Sequence, residues 1–189
     1  MNIFDLIKQR RTVRKFKIMR LDKAQIEKYI DAARLAPSAM NMQPIKYAAV
    51  LSTEKVEEIF PLTRWAGYVP EYNPTKSEIP AAFVAVCIDG SLKSNYSEFD
   101  MGAAIENMIL AALGDGVGAC VLGAIDKPKI TEILELPQNL SLCYLVALGY
   151  SAEKQTEVPM KDGNIKYYIE RDTVCVPKRS LEEVLIKTI

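Results

Sequence analysis

The chain has 189 residues, of which 49% are hydrophobic, and this length suits one compact domain with a sizeable buried core. Its 24 basic and 24 acidic residues give a net charge of zero, which argues against a protein that coats nucleic acid or anionic membranes through bulk charge. The chain has no histidine, which excludes Ser-His-Asp triads, Cys-His pairs and imidazole bases, so a bound cofactor is the simplest source of reactivity.

Targeting signals and metal motifs are not recognisable in the chain. The N-terminus lacks a secretory pattern and no apolar run reaches the ~18 residues of a membrane span, so we expect a cytoplasmic protein with no membrane partner. The four cysteines are too widely spaced for a zinc site. Three of them occur in apolar runs typical of buried, reduced thiols, namely Cys87, Cys120 and Cys143. We predict a single domain over residues 1–189.

The first half of the chain alternates predicted helices and strands. Their ranges are 2–10, 22–35 and 54–60 for the helices and 47–51 and 81–88 for the strands. In the second helix, apolar residues recur at helical spacing, and Asp22 with Gln25 matches a capping box. The strand at 81–88 is almost wholly apolar, which is typical of a strand that is covered on both faces.

A long loop is predicted between the third helix and the second strand. Residues 61–80 contain four prolines and no sustained periodicity. Loops of this length in compact domains often act as lids over a binding site. Trp65 and Tyr68 are the candidates to cover such a pocket, although exposed aromatic packing is an open alternative.

The second half is organised around a helix predicted over residues 97–113, with Ser97 and Asp100 as the signal for its start. Apolar residues surround most of this helix, so we expect a second copy of the chain to enclose its outer face. Gly114 and Gly116 predict a helix end and a tight turn. The remaining predictions are a strand over 119–122, a helix over 128–134, a strand over 142–148 and a polar, mostly extended tail over 149–189 with a short helix after Pro177. This mixture indicates an α+β or α/β layered domain.

Basic residues are concentrated near the N-terminus, where residues 8–20 contain seven cations and no acid. This stretch is either a solvated face or an anion site, because arginine forks bind phosphate with two hydrogen bonds. Arg10 and Arg14 are four residues apart and would share a face if helical geometry continued through them.

Two further segments have the composition of ligand sites. Residues 36–44 place small polar groups between prolines, which suits either an ordinary turn or a loop that contacts a ligand. Lys178 and Arg179 lie at a predicted helix start, where cations oppose the helix dipole and a bound anion would relieve the conflict.

Taken in chain order, six short motifs resemble the nitroreductase family. They are Arg10-Arg11-Thr12-Val13-Arg14-Lys15-Phe16, Ala36-Pro37-Ser38-x-x-Asn41-x-Gln43-Pro44, Asp100-x-Gly102-Ala103-Ala104-x-Glu106-Asn107, Gly116-Val117-Gly118-Ala119-Cys120-Val121-Leu122-Gly123, Leu148-Gly149-Tyr150 and Pro177-Lys178-Arg179. Each motif is a weak signal alone, but the ordered set spans nearly the whole chain.

This resemblance implies an α+β fold in which helices flank a central, mostly antiparallel sheet, and an intertwined homodimer with FMN at the subunit interface. NADH or NADPH would be the electron donor, and a small nitroaromatic, quinone or similar compound the oxidant, with ping-pong kinetics. The resemblance assigns no catalytic side chain and no metal.

By similarity, FMN phosphate, ribityl and pyrimidine groups would contact Arg10, Arg11, Thr12 and Arg14. The flavin would contact Pro37, Ser38, Ala39, Asn41 and Gln43, some of them from the partner subunit. Backbone near the reactive edge would come from Leu122 and Gly123, and the phosphate clamp would be completed by Lys178 and Arg179.

The chain departs from the family pattern at a few positions. Thr12 replaces the usual serine, Ala39 a frequent second serine and Glu106 a common glutamine, and residues 160–163 lack the usual proline-basic run. Two other functions stay open. A flavin-binding sensor or carrier would use the same contacts without turnover, and a nucleic-acid-binding module would use the basic stretch at 8–20.

Overall fold

The computed structural model describes residues 2–92 and 95–189, and a four-stranded antiparallel sheet forms its centre. The strand order is β1-β2-β4-β3, where β1 is Ile45–Val50, β2 is Ala82–Asp89, β3 is Val117–Leu122 and β4 is Leu140–Tyr150. The central strands β2 and β4 are buried over most of their length, because other elements cover both faces of the sheet. The predicted α+β class with a mostly antiparallel central sheet is confirmed.

Six α-helices accompany this sheet in the part of the chain that the structure describes, and four of them pack on its faces. They are α1 (Ile3–Gln9), α2 (Lys23–Arg34), α3 (Thr53–Ile59), α4 (Ser97–Gly114), α5 (Lys127–Ile133) and α6 (Leu181–Val184). The capping box of α2 is confirmed, since Asp22 accepts from the backbone of Gln25 at 2.8 Å and Gln25 accepts in return at 3.1 Å. Helices α2 and α4 pack on one face of the sheet, and α3 and α5 on the other. Over the described residues, no helix combines the length and apolarity needed to cross a bilayer.

Helix α4 buries one face and leaves the other open in the single chain. Met101 and Met108 are 2% and 0% exposed, whereas Phe99 on the outer side is 74% exposed. The predicted role of Asp100 in the start of this helix is wrong. Its carboxylate accepts a hydrogen bond from the backbone N–H of Ala39 instead of capping its own helix. Enclosure of the outer face by a second copy stays a prediction.

The C-terminal region, for which the sequence predicts only an extended tail, forms a second sheet. Its strands are β5 (Lys154–Pro159), β6 (Tyr168–Glu170) and β7 (Thr173–Lys178) in the order β5-β7-β6, with β5 and β7 parallel. Among these strands only Val174 and Cys175 are fully buried. With so few apolar positions, the sequence pattern was too weak to indicate strands.

Residues 12–16 lie against the end of the central sheet, and two glycines make this approach possible. A side chain at Gly118 would overlap the side chain of Val13. A side chain at Gly149 would come within 2.8 Å of the ring of Phe16. The backbone N–H of Val13 donates to the carbonyl of Ala119 at 2.9 Å, which fixes the register. The basic stretch is thereby fastened to the edge strand β3.

The loop at 61–80 is irregular, as predicted, apart from short 3-10 turns at Phe60–Leu62 and Pro70–Tyr72. It is tied to the N-terminal stretch, because Phe16 donates to the carbonyl of Glu78 at 3.0 Å and Lys15 pairs with the Glu78 carboxylate at 3.3 Å. These contacts hold the loop beside the basic stretch.

All four cysteines are free thiols. Cys87 and Cys120 are buried, as predicted, and so is Cys175, but Cys143 is only half-buried. The register of β2 against β4 slips between Val86 and Cys87, so Cys143 is the extra residue of a bulge and is turned partly outward.

Candidate functional site

A cavity of about 330 Å³, which we call the β3 cavity, lies beside the edge strand β3. Thr12 and Arg14 line one side, and Leu122 and Gly123 line another. Its volume falls in the ~300–1,000 Å³ range of small-molecule sites. Four of the residues predicted to hold the cofactor, from opposite halves of the sequence, are therefore brought together.

Arg14 is held in place without an acidic partner for its guanidinium. The guanidinium carbon lies 4.3 Å from the centre of the Tyr167 ring, and the backbone N–H donates to Oε1 of Glu153 at 2.6 Å. None of the ion pairs in the described part of the chain includes Arg14. Stacked on an aromatic ring, it keeps its N–H groups for an anion.

Arg10 and Arg11 are already engaged by carboxylates. Arg10 Nε lies 3.1 Å from Oε1 of Glu106, and Arg11 pairs with Glu157 on β5. The Nε of Arg11 is nevertheless buried and has no hydrogen-bond partner among the described residues. A buried donor that makes no hydrogen bond costs ~1–3 kcal/mol of stability. This N–H is therefore suited to an acceptor oxygen of a bound ligand.

A second cavity, of about 220 Å³, lies behind residues 37–43, and we call it the loop cavity. Pro37, Ser38 and Gln43 line it together with Asp100 and Tyr47. In the single chain these predicted flavin contacts are thus placed apart from the β3 cavity. Ala39 and Asn41 line neither cavity.

The loop between Pro37 and Gln43 has an unusual backbone that other groups hold in place. Met40, Asn41 and Gln43 have φ values of 52°, 53° and 50°. Left-handed backbone at residues other than glycine is costly and persists only where surrounding contacts impose it. The carboxylate of Asp100 accepts from the Ala39 N–H at 2.9 Å, and the Ser38 hydroxyl accepts from the Gln43 N–H at 3.0 Å.

Asp100 is 1% exposed, and its second oxygen is buried without a hydrogen-bond partner among the described residues. The sequence had suggested a helix cap for this residue. Its observed contact shows that it instead fixes the loop that carries the predicted flavin contacts.

Lys178 and Arg179 lie near the other predicted cofactor residues, but their side chains do not converge on a common position. Lys178 ends β7, which runs beside β5 in a register that pairs Val176 with Glu157, the partner of Arg11. The strand spacing puts Lys178 within ~10 Å of Glu157. Arg179 pairs with Glu183 at 3.4 Å.

The expected conflict with the helix dipole at Lys178 and Arg179 is absent. The last helix begins only at Leu181, after a Ser180 cap, and carries Glu182 and Glu183 in its first turn. These acids already complement the dipole, so the helix itself does not call for a bound anion.

Sequence reasoning missed Arg64 and Tyr167, which also line the β3 cavity. The Arg64 N–H donates to the carbonyl of Ala124 at 3.0 Å, which joins the long loop to the residue after Gly123. The lid hypothesis had singled out this loop but not its arginine. Tyr167 occurs in a polar segment with no motif, and no signal could have identified it.

Trp65 lines the same cavity and is anchored from behind. Its indole N–H donates to the hydroxyl of Thr63 at 2.7 Å, and its ring packs against Phe16 and Phe60. Tyr68 is 49% exposed and contacts the ring of Tyr167 in a tilted arrangement instead of lining the cavity. Trp65 is therefore a fixed wall and not a free lid.

Cys120 lines the β3 cavity as a neutral thiol. Burial raises its pKa to about 12. A thiol with such a pKa is a poor nucleophile near neutral pH, so Cys120 supplies apolar surface to the cavity.

Comparison with known proteins decides the family. A family model described as the nitroreductase family matches residues 7–150. The chain belongs to the nitroreductase family. A relative from Methanothermobacter thermautotrophicus, provisionally named NADH dehydrogenase/NAD(P)H nitroreductase, is 30% identical over 161 residues, which cover 81% of this chain and 79% of the relative. The NADPH-flavin oxidoreductase of Vibrio harveyi is 26% identical over 165 residues, which cover 79% of this chain and 65% of the relative.

Solved structures of other nitroreductases share the fold. The crystal structure of a nitroreductase family protein from Clostridium novyi NT has a TM-score of 0.66 and 26% identity, covering 80% of this chain and 87% of that one. An FMN-dependent nitroreductase from Clostridium difficile R20291 has a TM-score of 0.68 and 22% identity, covering 84% of this chain and 92% of that one, which bears on the fold alone.

The nitroreductase match includes every described lining residue of both cavities except Tyr167, because it ends at residue 150. Glu153, Glu157 and Tyr167, which contact the arginines of the basic stretch, lie outside it. The region after residue 150 therefore contributes support for the site that the family match does not cover.

Proposed function

We propose that this nitroreductase is an FMN-dependent oxidoreductase that transfers electrons from NADH or NADPH to a small organic acceptor such as a nitroaromatic or a quinone. The observation that carries the proposal is the β3 cavity, in which Thr12 and Arg14 meet Leu122 and Gly123. The name of the Vibrio harveyi relative, an NADPH-flavin oxidoreductase, supports it. The four free thiols suit the reducing cytoplasm.

The residues present fit a flavin phosphate. Arg14 offers a guanidinium without a carboxylate partner, and Arg11 offers a buried Nε that needs an acceptor. Thr12 keeps the hydroxyl that the family pattern places there. When bound, FMN supplies the hydride-accepting chemistry, while these residues bind and orient it.

Glycine at position 123 suits close approach of a ring to the backbone. A side chain there would meet the ring of Tyr144 at 3.1 Å, so the position is already crowded from behind. The neighbouring wall contains Trp65 and the neutral thiol of Cys120, which keep water from that side of the cavity. Donor and acceptor would use this one opening in turn, which predicts ping-pong kinetics.

We further propose a homodimer in which each flavin contacts both subunits. Large apolar side chains are exposed on α1, on the outer side of α4 and at the C-terminus, namely Ile3, Phe4, Ile7, Phe99, Leu181, Val184, Leu185 and Ile186. Exposed apolar surface of this extent marks an interface. Across this interface, the loop at 37–43 of one subunit would reach the β3 cavity of the other. An obligate interface of this kind would bury over ~2,000 Å².

The cofactor test is the absorption spectrum of the purified protein and of the supernatant after heat denaturation. We expect a yellow protein that releases FMN and not FAD. A colourless protein that FMN does not reconstitute would contradict the proposal. Flavin that neither NADH nor NADPH bleaches would indicate the sensor or carrier instead.

A further inference from the structure

The lining of the β3 cavity carries positive charge and no negative charge. Arg14 and Arg64 line it, and none of the described residues that line it is acidic. Two aromatic rings, from Trp65 and Tyr167, complete its walls. A cavity with guanidinium groups, flat rings and no carboxylate favours a planar ligand that carries a negative group.

Arg64 is held ready for such a group. Its Nη1 donates to the carbonyl of Pro61 at 3.2 Å and to that of Thr63 at 3.1 Å. No ion pair among the described residues uses Arg64, whereas Arg10, Arg11, Arg34 and Arg179 each have a carboxylate partner. Two backbone carbonyls thus restrain the guanidinium while its remaining donors face no acid. A restrained fork loses less entropy on binding a carboxylate or phosphate.

The backbone contacts of Arg64 also determine which part of the cavity this residue lines. Its N–H bonds to the carbonyl of Ala124, and Thr63 pairs with Ile125 in an antiparallel bridge. The backbone of Arg64 is therefore fixed next to Ala124, the residue that follows Gly123 after the end of β3. Arg14, the other arginine of the cavity, already has a proposed role with the cofactor.

We infer that Arg64 binds a negatively charged oxygen group, carboxylate or phosphate, on a substrate that enters the β3 cavity. The inference rests on the proposed function, because it assigns Arg64 to the substrate and Arg14 to FMN. Two sources supply this chemistry: an acidic aromatic oxidant, or the 2′-phosphate that distinguishes NADPH from NADH. Trp65 and Tyr167 would contact the planar part of either molecule.

The first test measures binding without turnover. Trp65 is the single tryptophan of the chain and lines the cavity, so its fluorescence reports occupancy. Benzoate and the neutral benzamide are titrated into the full-length protein as purified, with flavin content recorded alongside. The variants are Arg64→Gln and Arg64→Lys, and the matched control is Arg20→Gln, which alters an exposed arginine away from this cavity.

Arg64→Gln is expected to weaken benzoate binding by roughly tenfold or more, as for loss of a charge-assisted hydrogen bond, and to leave benzamide binding within about twofold. Arg64→Lys should recover part of the affinity, because it keeps the charge and loses the fork. Arg20→Gln should match the wild type. Equal changes for charged and neutral ligands, or no change for either, would overturn the inference.

The second test separates the two sources by kinetics. Values of kcat/KM are compared for NADPH against NADH, and for 4-nitrobenzoate against 4-nitrobenzamide. A selective loss with NADPH in Arg64→Gln identifies the nucleotide phosphate, and a selective loss with 4-nitrobenzoate identifies the oxidant. Loss with neither overturns the inference. A wild type without flavin that still binds benzoate through Arg64 would refute the proposed function and leave the anion site standing.

Discussion

The β3 cavity and the loop cavity are built by different physical means. The β3 cavity rests on regular structure, because Thr12 and Val13 pair with Ala119 of the edge strand β3. The loop cavity rests on an irregular turn with three left-handed residues, held by the buried carboxylate of Asp100. One half of the proposed flavin site is therefore supported by the sheet, and the other half depends on a few specific hydrogen bonds.

The largest expected effect is at the contact that fastens the β3 cavity to the sheet. Gly118→Ala would place Cβ within the space of the Val13 side chain. Overpacking of this kind costs ~1–3 kcal/mol, and displacement of residues 12–14 should also abolish FMN binding. The measurements are the urea midpoint and flavin content. Gly114→Ala, where no atom lies within 4 Å of the added Cβ, is the control and should retain both.

Removal of the Arg14 guanidinium should weaken FMN binding without unfolding the protein. Arg14→Ala is expected to raise the Kd for FMN tenfold or more, because a charge-assisted hydrogen bond contributes ~1.5–3 kcal/mol. Arg20→Ala, which removes an exposed arginine of the same basic stretch, should change it little. Fluorescence titration with FMN measures both. Equal losses would show that bulk charge, and not a specific site, attracts the cofactor.

The loop cavity is tested at Asp100. Asp100→Ala removes the acceptor of the Ala39 N–H, which should cost ~1 kcal/mol of stability and weaken FMN several-fold through the loosened loop. Asp100→Asn keeps an acceptor oxygen and should lie close to the wild type. Thermal melts and FMN titration distinguish the two. Normal FMN affinity in Asp100→Ala would remove the loop from the flavin site.

The smallest effect is a dependence on alkaline pH at Tyr47, which lines the loop cavity. Burial raises its pKa to about 12, against ~10 for an unfolded tyrosine. A raised folded pKa means that the contribution to stability is complete below pH ~10 and is lost as the pH rises towards 12. Tyr47→Phe should therefore lose less stability than the wild type between pH 9 and pH 11, measured by urea unfolding. Parallel losses would contradict this assignment.

Much of the central sheet could be predicted from local patterns. The continuous apolar run of β2 indicated a strand covered on both faces, and Asp22 with Gln25 indicated the start of α2. The ordered motifs indicated the family, which the family match confirmed. These features depend on residues close together in the sequence, where periodicity and capping carry strong signals.

The second sheet and the new lining residues could not be predicted, because they depend on distant contacts. β5 and β6 contain only exposed and half-buried positions and lack a hydrophobic pattern. The placement of Tyr167 over Arg14, and of Arg64 beside Ala124, joins segments that no motif connects. Asp100 looked like a helix cap because its partner, Ala39, lies in a separate loop.

The most direct test of the account is complementation between two defective subunits. One subunit carries Arg14→Ala, and the other carries Asn41→Ala with Asp100→Ala; the two are co-expressed with different tags and the mixed dimer is isolated. If each flavin site combines the β3 cavity of one subunit with the loop of the other, the mixed dimer has one intact site. FMN titration should then give one site of native affinity per mixed dimer and none in either parent dimer. A mixed dimer without a native-affinity site would contradict the shared site.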